Sequence, residues 1–448
     1  MPSLVGSEMC IRDSCISVVG LGYVGLPAAL AFYDAGVNIY GIDISEEVIN
    51  LLKNGINPLI DNKFKPKIPL SNARWNVTTN YAEAIPHSDI VLITVPTPVN
   101  KDKTPDLSYI EAAAKSVLNN INPDKLTIVV LESTVYPGVT KKILGRICQE
   151  LDLTLGKEII LAYCPERVSP GDEFHSVDSV ARVVGCDDEK VGVMLANLYS
   201  RITSEISVYV GDIEVAEAAK MVENLQRDID IALSNELALI LPLMGIDVEE
   251  VLQAAETKWN FHRHTPGIGV GGHCIPVDPY YYISLSEKLG FKSLLSPIAR
   301  GLNEGMPSFT VESIKSLLPS GLKNSKILIL GYSYKPELGD TRETPVYDLI
   351  ELLSKNDSNV FVYDPFVDSK NMPKWINHIS DIYSIKDFDM IILATAHNDC
   401  LELDWTKLLQ CCPNKLIYDG RRALEKDKMR EIGWNYFGTG MPLNKPKK

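Results

Sequence analysis

The 448-residue chain contains no Cys-x-x-Cys pair, and no apolar run comes near the ~18 residues that a membrane span requires. Its basic residues are outnumbered, 44 Lys and Arg against 58 Asp and Glu. Each lack excludes something. Nine scattered cysteines, an odd number without paired spacing, indicate neither a disulfide framework nor a zinc site and fit a reducing cytoplasm. The longest apolar stretches, Asp89 to Val95 and Leu126 to Leu131, have the length of buried strands, so nothing is expected to cross a bilayer. A net charge of -14 without clustered Lys or Arg argues against a nucleic-acid surface, and any anionic ligand would need a local basic pocket. Met1 to Ser14 have neither periodicity nor a basic start before an apolar core; they are no signal peptide and read as a foreign leader, Cys10 included. What is left, 45% hydrophobic and 23% charged, is the composition of a soluble globular protein long enough for two or three domains.

From Cys15 onward the organisation is legible. Cys15 to Gly20 is a short apolar run ending in glycine, Leu26 to Ala35 continues at helical spacing, and Asn38 to Asp43 is a second strand. Further strands at Ile90 to Val95, Thr127 to Leu131 and Ile159 to Ala162 alternate with helical patterns at Leu107 to Leu118 and Thr140 to Leu151. Such alternation gives a doubly wound parallel sheet with helices on both faces. Between the first strand and helix lies Gly20-Leu21-Gly22-Tyr23-Val24-Gly25. In that fingerprint Gly20 permits the tight turn, Gly22 lets a pyrophosphate approach the backbone, and Gly25 lets helix and strand pack closely, with the helix N-terminus toward the phosphates. Asp43, ending the second strand, suits the ribose hydroxyls and would repel a 2′-phosphate, which favours NAD over NADP.

Ile213 to Leu243 reads as one long helix broken near Pro242, with Lys220 and Asn224 one turn apart on one face and Arg227 beside Asn224. Spacing alone is equally compatible with a solvated stripe. A glycine-rich loop follows, Gly269-Val-Gly271-Gly-His-Cys274-Ile-Pro-Val-Asp278, whose glycines suggest a cysteine that must be approached closely. His262, His264 and His273 surround it but lack a carboxylate or cysteine at ligand spacing, so no metal is expected. The last region repeats the first theme without its full fingerprint: strands at Lys326 to Gly331, Asn359 to Asp364 and Asp389 to Ala394, and a helix from Pro345 to Leu353. Its loop Tyr334-Lys335-Pro-Glu-Leu-Gly-Asp340-Thr-Arg342 and the pair Arg421-Arg422 put cations after strand ends, where open α/β sheets bind ligands; the two arginines suit bidentate phosphate contact. The fold class expected is α/β, two Rossmann-like doubly wound domains joined by a long central helix. Cys164 reads as packing, and Cys411-Cys412 as structural or exposed.

Taken in order, Gly20 to Gly25, Val95-Pro-Thr97-Pro, Glu132-Ser133-Thr134-Val-Tyr-Pro-Gly138, Pro165-Glu166-Arg167-Val, the Lys220 to Asn224 helix, the Cys274 loop and Asp340-Thr-Arg342 resemble the UDP-glucose/GDP-mannose dehydrogenase family from Cys15 to about Thr439. Pro165-Glu-Arg-Val-Ser-Pro-Gly-Asp, Asn224-Leu-Gln-Arg-Asp and Lys258-Trp-Asn-Phe resemble its branch acting on UDP-N-acetylglucosamine or UDP-N-acetylgalactosamine, used for surface polysaccharides such as Vi-type capsules.

The resemblance implies a domain for NAD (15–205), a central dimerising segment with the catalytic loop (206–305) and a domain for the UDP-sugar (306–448), in a cytoplasmic homodimer or larger homo-oligomer. It implies a four-electron oxidation of a C6 alcohol, with Cys274 forming a thiohemiacetal and then a thioester. Lys220 and Asn224 would stabilise the C6 oxygen. Asp278, Glu166 and Thr134 would handle water or support Lys220, with the general base left open among the three. Thr97, Ser133, Arg342 and the fingerprint would contact NAD, and closure of the two α/β domains would complete the site. Glu166, Arg167, Lys220, Asn224, Arg227, Lys258, Gly271, Lys335 and Arg421 would contact substrate. Lys258 stands where relatives acting on UDP-glucose carry an arginine reaching across a dimer. Alternatives are UDP-glucose or UDP-N-acetylmannosamine as substrate, a dehydrogenase that stops at the aldehyde, and a non-catalytic NAD- or nucleotide-sugar-binding regulator.

Overall fold

In a computed structural model of the chain the described residues are 14–59, 66–167 and 179–443. Residues 1–13 of the stretch read as a leader lie outside them, as do residues 168–172 of the Pro165 motif. Ser14 is buried, and its carbonyl accepts the Asn38 N–H at 3.1 Å. The described residues fall into two compact units, one running to Glu223 and including Tyr280–Gly290, the other comprising Asn224–Pro279 and the chain from Phe291 onward.

The first unit is built on eight strands: β1 Cys15–Val19, β2 Asn38–Ile42, β3 Trp75–Thr78, β4 Ile90–Ile93, β5 Thr127–Leu131, β6 Ile159–Tyr163, β7 Val183–Cys186 and β8 Val208–Tyr209. They lie in the order β3-β2-β1-β4-β5-β6-β7-β8. Side chains alternate across the sheet, so neighbouring residues of one strand serve different cores. Ile90 and Leu92 of β4, with Ile128 and Val130 of β5, pack with Leu26, Ala29 and Leu30 of the helix Gly25–Asp34. Val91, Ile93, Val129 and Leu131 pack on the other face with Ile110, Ala113 and Val117 of the helix Ser108–Leu118. Burial on both faces explains why these strands are continuously apolar. The sheet departs from the all-parallel expectation at one edge: β7 runs antiparallel to β6, and the helix Glu189–Tyr199 returns the chain so that β8 lies parallel to β7.

The second unit holds a six-stranded parallel sheet: β9 Lys326–Leu330, β10 Asn359–Tyr363, β11 Asn377–His378, β12 Met390–Leu393, β13 Leu416–Asp419 and β14 Asn435–Gly438, ordered β11-β10-β9-β12-β13-β14. That is the order of the first six strands repeated, and in both sheets the switch point falls where the first strand meets the fourth. The two halves also share a turn. Gly331 N–H donates to the Tyr363 carbonyl at 2.7 Å as Gly20 does to Ile42 at 2.7 Å, and Asp364 accepts the Tyr332 N–H at 2.6 Å as Asp43 accepts that of Leu21 at 2.8 Å.

The central helix spans Ile213–Ile240. Its continuation Leu241–Met244 tightens to a 3-10 turn around Pro242, which lacks an N–H, and Gly245 closes it in the left-handed region at φ 78°. Among the described residues no helix is long and apolar enough to cross a membrane.

Candidate active site

In the first unit the glycine fingerprint is shaped as its spacing implies. Gly20 has φ 94°, and its N–H is held by the end of β2. A Cβ on Gly25 would overlap the Gly20 carbonyl oxygen and Thr94 Oγ1, whereas one on Gly22 would meet nothing within 4 Å. The turn is therefore open at Gly22 and closed at Gly25, and the first turn of the helix behind it carries no acid. Val24 occupies the N-cap without a side-chain bond, while Tyr23 beside it is half-buried. Asp43 uses one oxygen for Leu21 N–H at 2.8 Å and the other for Ser45 N–H at 2.9 Å. Each carboxylate oxygen retains a second lone pair, so the side chain keeps capacity for ribose hydroxyls. This cradle fits a dinucleotide.

The expected contacts beyond the fingerprint are placed as follows. Thr97 is half-buried, and its carbonyl accepts the Tyr281 hydroxyl at 3.0 Å. Ser133 directs its hydroxyl to the Val95 carbonyl at 2.7 Å, tying two of the family-like motifs together, and Thr134 follows it half-buried. Arg167 is engaged by Glu223, 2.7 Å from Nη2 to Oε1 and 3.1 Å from Nε to Oε2. Lys220 is buried on the central helix. Glu166 lies 3.4 Å from Nη1 of Arg182, a guanidinium that is only 1% exposed. Spacing does not single out Arg182, and Glu132 enters the sequence reading only as the first residue of its motif, because the cluster joins the ends of separate elements and no local pattern announces it.

In the second unit the Cys274 carbonyl accepts the N–H groups of Val277 at 3.0 Å and Asp278 at 2.8 Å, which starts the helix Asp278–Lys288. Asp278 is buried and accepts a hydrogen bond from the Asn224 amide. Cys274 is the one described cysteine outside the core. Burial pushes the thiols of Cys15, Cys148, Cys186 and Cys412 up to about 11, and those of Cys164 and Cys400 higher still. Thiolate chemistry near neutral pH is thereby withheld from them. Cys411 and Cys412 are buried, not exposed.

The glycines around Cys274 have a different cause from the one inferred from sequence. A Cβ on Gly271 would come 2.6 Å from Cβ of Tyr334, one on Gly269 2.7 Å from Pro345, and one on Gly272 2.8 Å from the Tyr334 ring. Gly272 N–H also bonds the Arg342 carbonyl at 3.2 Å. The loop is glycine-rich because it packs backbone-on against the segment 334–345.

The cations of this unit divide. Lys335 is half-buried in that segment, while Arg342 is chelated by Asp340, with Nε to both oxygens at 2.9 and 3.0 Å. Arg421 donates Nε–H to the Ala394 carbonyl at 2.6 Å, and burial pushes its guanidinium down to about 10 against the pull of Asp419. Its tip borders Gly267. Arg422 is no phosphate ligand: both terminal nitrogens grip Asp247 at 2.8 and 3.0 Å, an acid far away in sequence. Arg227 and Lys258 are exposed. Among the described residues no three His, Cys, Asp or Glu side chains cluster as a metal site.

Comparison with protein families matches residues 14–203, 214–305 and 328–426 to the NAD binding, central and UDP binding domains of one family. The chain belongs to the UDP-glucose/GDP-mannose dehydrogenase family. It is similar to protein CapL of Staphylococcus aureus, 37% identical over 92% of this chain and 97% of that one. It is also similar to the UDP-N-acetyl-D-glucosamine 6-dehydrogenase of Salmonella typhi, 36% identical over 86% of this chain and 91% of the relative. Among solved structures, the UDP-D-ManNAc dehydrogenase of Pyrococcus horikoshii superposes with a TM-score of 0.85 at 31% identity, covering 96% of this chain and 100% of that one. This dehydrogenase is thus an NAD-dependent enzyme acting on UDP-sugars, and none of the comparisons supports a non-catalytic regulator.

Proposed function

We propose that the enzyme oxidises C6 of a UDP-N-acetylhexosamine, UDP-N-acetylglucosamine or UDP-N-acetylgalactosamine, to the uronic acid for surface-polysaccharide synthesis, with Cys274 as nucleophile. The observation that carries this reading is the accessibility of Cys274 while every other described cysteine is buried. The Asn224–Asp278 pair beside it adds a polar, oriented setting. NAD, when bound, would supply the oxidant, one molecule for each of the two hydride transfers with exchange of NADH for NAD between them. Lys220 and Asn224 stabilise the C6 oxygen as charge develops on it. The Cys274 sulfur bonds to C6 of the aldehyde as the C6–O π bond opens and the thiol proton ends on the C6 oxygen, giving a thiohemiacetal whose oxidation by hydride loss yields the thioester. Water then adds to that carbonyl, its proton passes to Glu166, the C6–S bond breaks and the thiol is regained. Among the three candidates for that base, Thr134 is a hydroxyl and Asp278 is buried at 2% exposure; Glu166 is a carboxylate that remains 13% exposed. Arg421 and Lys335 are the cations suited to the diphosphate, and Thr97, Ser133, Thr134 and Arg342 to the surroundings of the cofactor.

UDP-N-acetylmannosamine is the second reading, favoured by the fold match to the P. horikoshii enzyme. The same reading makes the protein a homodimer or larger homo-oligomer through segment 206–305. Leu243, Met244 and Trp259, at 81%, 65% and 91% exposure, support that surface, and Lys258 adjoins it. A nucleophilic thiol also calls for a reducing compartment, in keeping with a cytoplasmic enzyme.

The test is NADH formed from limiting UDP-N-acetylglucosamine, UDP-N-acetylgalactosamine, UDP-N-acetylmannosamine and UDP-glucose under excess NAD. Two NADH per sugar with an N-acetylglucosamine or N-acetylgalactosamine nucleotide is expected. One NADH would mean the enzyme stops at the aldehyde, and none with all four would refute the reading.

A further inference from the structure

The first unit contains a buried charge cluster of which the reaction as described uses only Glu166. Arg182, just ahead of β7, is 1% exposed. A cation taken out of water is tolerated only where opposite charge and hydrogen bonds replace the solvent. Here only Nη1 is so provided, lying 3.4 Å from Glu166 Oε1 and donating to the Pro165 carbonyl at 3.2 Å, while Nε and Nη2 are buried without a hydrogen-bond partner among the described residues. The guanidinium sits over the Tyr199 ring, 6.0 Å from its centroid. The Tyr199 hydroxyl donates to Glu132 Oε1 at 2.6 Å, which fixes the second carboxylate of the cluster. The backbone of Arg182 is fixed as well: its N–H bonds Ser207 Oγ at 3.1 Å, and its carbonyl accepts Val208 N–H at 2.9 Å. Burial would lower the affinity of Arg182 for its proton, but Glu166 and then Glu132 more than offset it, so the side chain stays a cation. Burial raises Glu132 against the opposing pull of Arg182 and the Tyr199 hydroxyl.

We propose that Arg182 is the positioning residue for Glu166, an anchored buried cation that fixes the direction in which that carboxylate presents itself to the water of thioester hydrolysis. The geometry separates the two carboxylates by task. Glu132 is fully enclosed and held by Tyr199, out of reach of solvent. Glu166 retains access to solvent and is held through the guanidinium and through the Pro165 carbonyl immediately before it. Without the cation, two carboxylates would share one apolar region, and Glu166 would turn toward water to escape its neighbour.

The proposal rests on the reading of Glu166 as base, and the experiment separates the two. Arg182→Met, Arg182→Lys and Glu166→Gln are compared with the parent enzyme on the UDP-sugar that gives two NADH. The readouts are kcat, KM for NAD and sugar, melting midpoint, and intact mass after acid quench to detect a sugar-nucleotide acyl adduct on Cys274. For Arg182→Met we expect kcat to fall about 10- to 100-fold, part of the 10²–10⁴ that a positioned base contributes. Both KM values should stay within about twofold and the adduct should accumulate, with Arg182→Lys falling between Met and parent because it keeps the charge but not the arm that places Nη1 against both Glu166 and the Pro165 carbonyl. A folded Met variant with parental kcat and no adduct, while Glu166→Gln does accumulate it, overturns the proposal alone. Absence of adduct in Glu166→Gln overturns the base reading and the proposal with it. Should the Met variant not fold, the Lys variant decides: reduced kcat at unchanged KM supports the proposal, and unchanged kcat overturns it.

Discussion

Two neighbouring glycines of the fingerprint should fail in different ways when replaced by alanine. At Gly25 the added methyl would fall well inside the 3.0 Å that real Cβ contacts keep, against the Gly20 carbonyl and Thr94 Oγ1, so backbone must move. Overpacking of that kind costs about 1–3 kcal/mol. For a domain near this size that is about 2–4 °C per kcal/mol, so Gly25→Ala should lower the melting midpoint by about 2–12 °C and weaken NAD binding as the turn distorts. At Gly22 the methyl meets nothing within 4 Å, so the free protein should melt as the parent does. What the methyl obstructs there is the approach of the pyrophosphate. Losing a hydrogen bond to a charged group at about 1.5–3 kcal/mol weakens NAD by about 10- to 150-fold. Calorimetric titration of NAD and thermal melts without it, run on both variants, check the pair. Normal NAD affinity in Gly22→Ala would show that the pyrophosphate does not lie on this turn, and parental melting in Gly25→Ala would refute the packing argument.

Other outcomes follow from the same geometry. Iodoacetamide at neutral pH should label Cys274 ahead of the buried thiols, read by peptide mass mapping, and Cys274→Ser should abolish that fast phase. Cys274→Ser should also lose turnover to acid while its NAD affinity, measured by titration, is unchanged; normal two-step turnover would remove the nucleophile assignment. Arg422→Met leaves Asp247 buried without its bidentate partner and should cost about 3–5 kcal/mol in urea denaturation. Burial would raise the Asp247 carboxyl, but Arg422 more than offsets it and holds the group below the usual carboxylate range. Its contribution should therefore be fully present above about pH 3.9 and be lost as pH falls through the lower folded-state value. Asp247→Asn should flatten that part of the acid-stability curve, and an unchanged curve would show that the pair contributes nothing.

The sequence by itself determined what depends on neighbouring residues. The Gly20 to Gly25 turn, Asp43 at the end of β2 and the continuously apolar strands were legible because backbone conformation and burial periodicity are set over a few positions. The break at Pro242 was legible for the same reason, since a missing N–H acts locally. The ordered motifs also led to the family and to Cys274.

Only the tertiary structure decided which charges are spent on holding the fold. Arg421 and Arg422 are adjacent and read alike, yet the second is gripped by Asp247, 175 residues away, and the first by the Ala394 carbonyl. The glycines around Cys274 suggested a close ligand but answer to Tyr334 and Pro345. Arg182 carried no signal at all until Glu166, Glu132 and Tyr199 were brought around it from different elements. A turn's glycine is chosen by dihedral angles fixed on the spot, whereas an ion's partner is chosen by the desolvation it must offset, and that is known only once distant strands have closed over it.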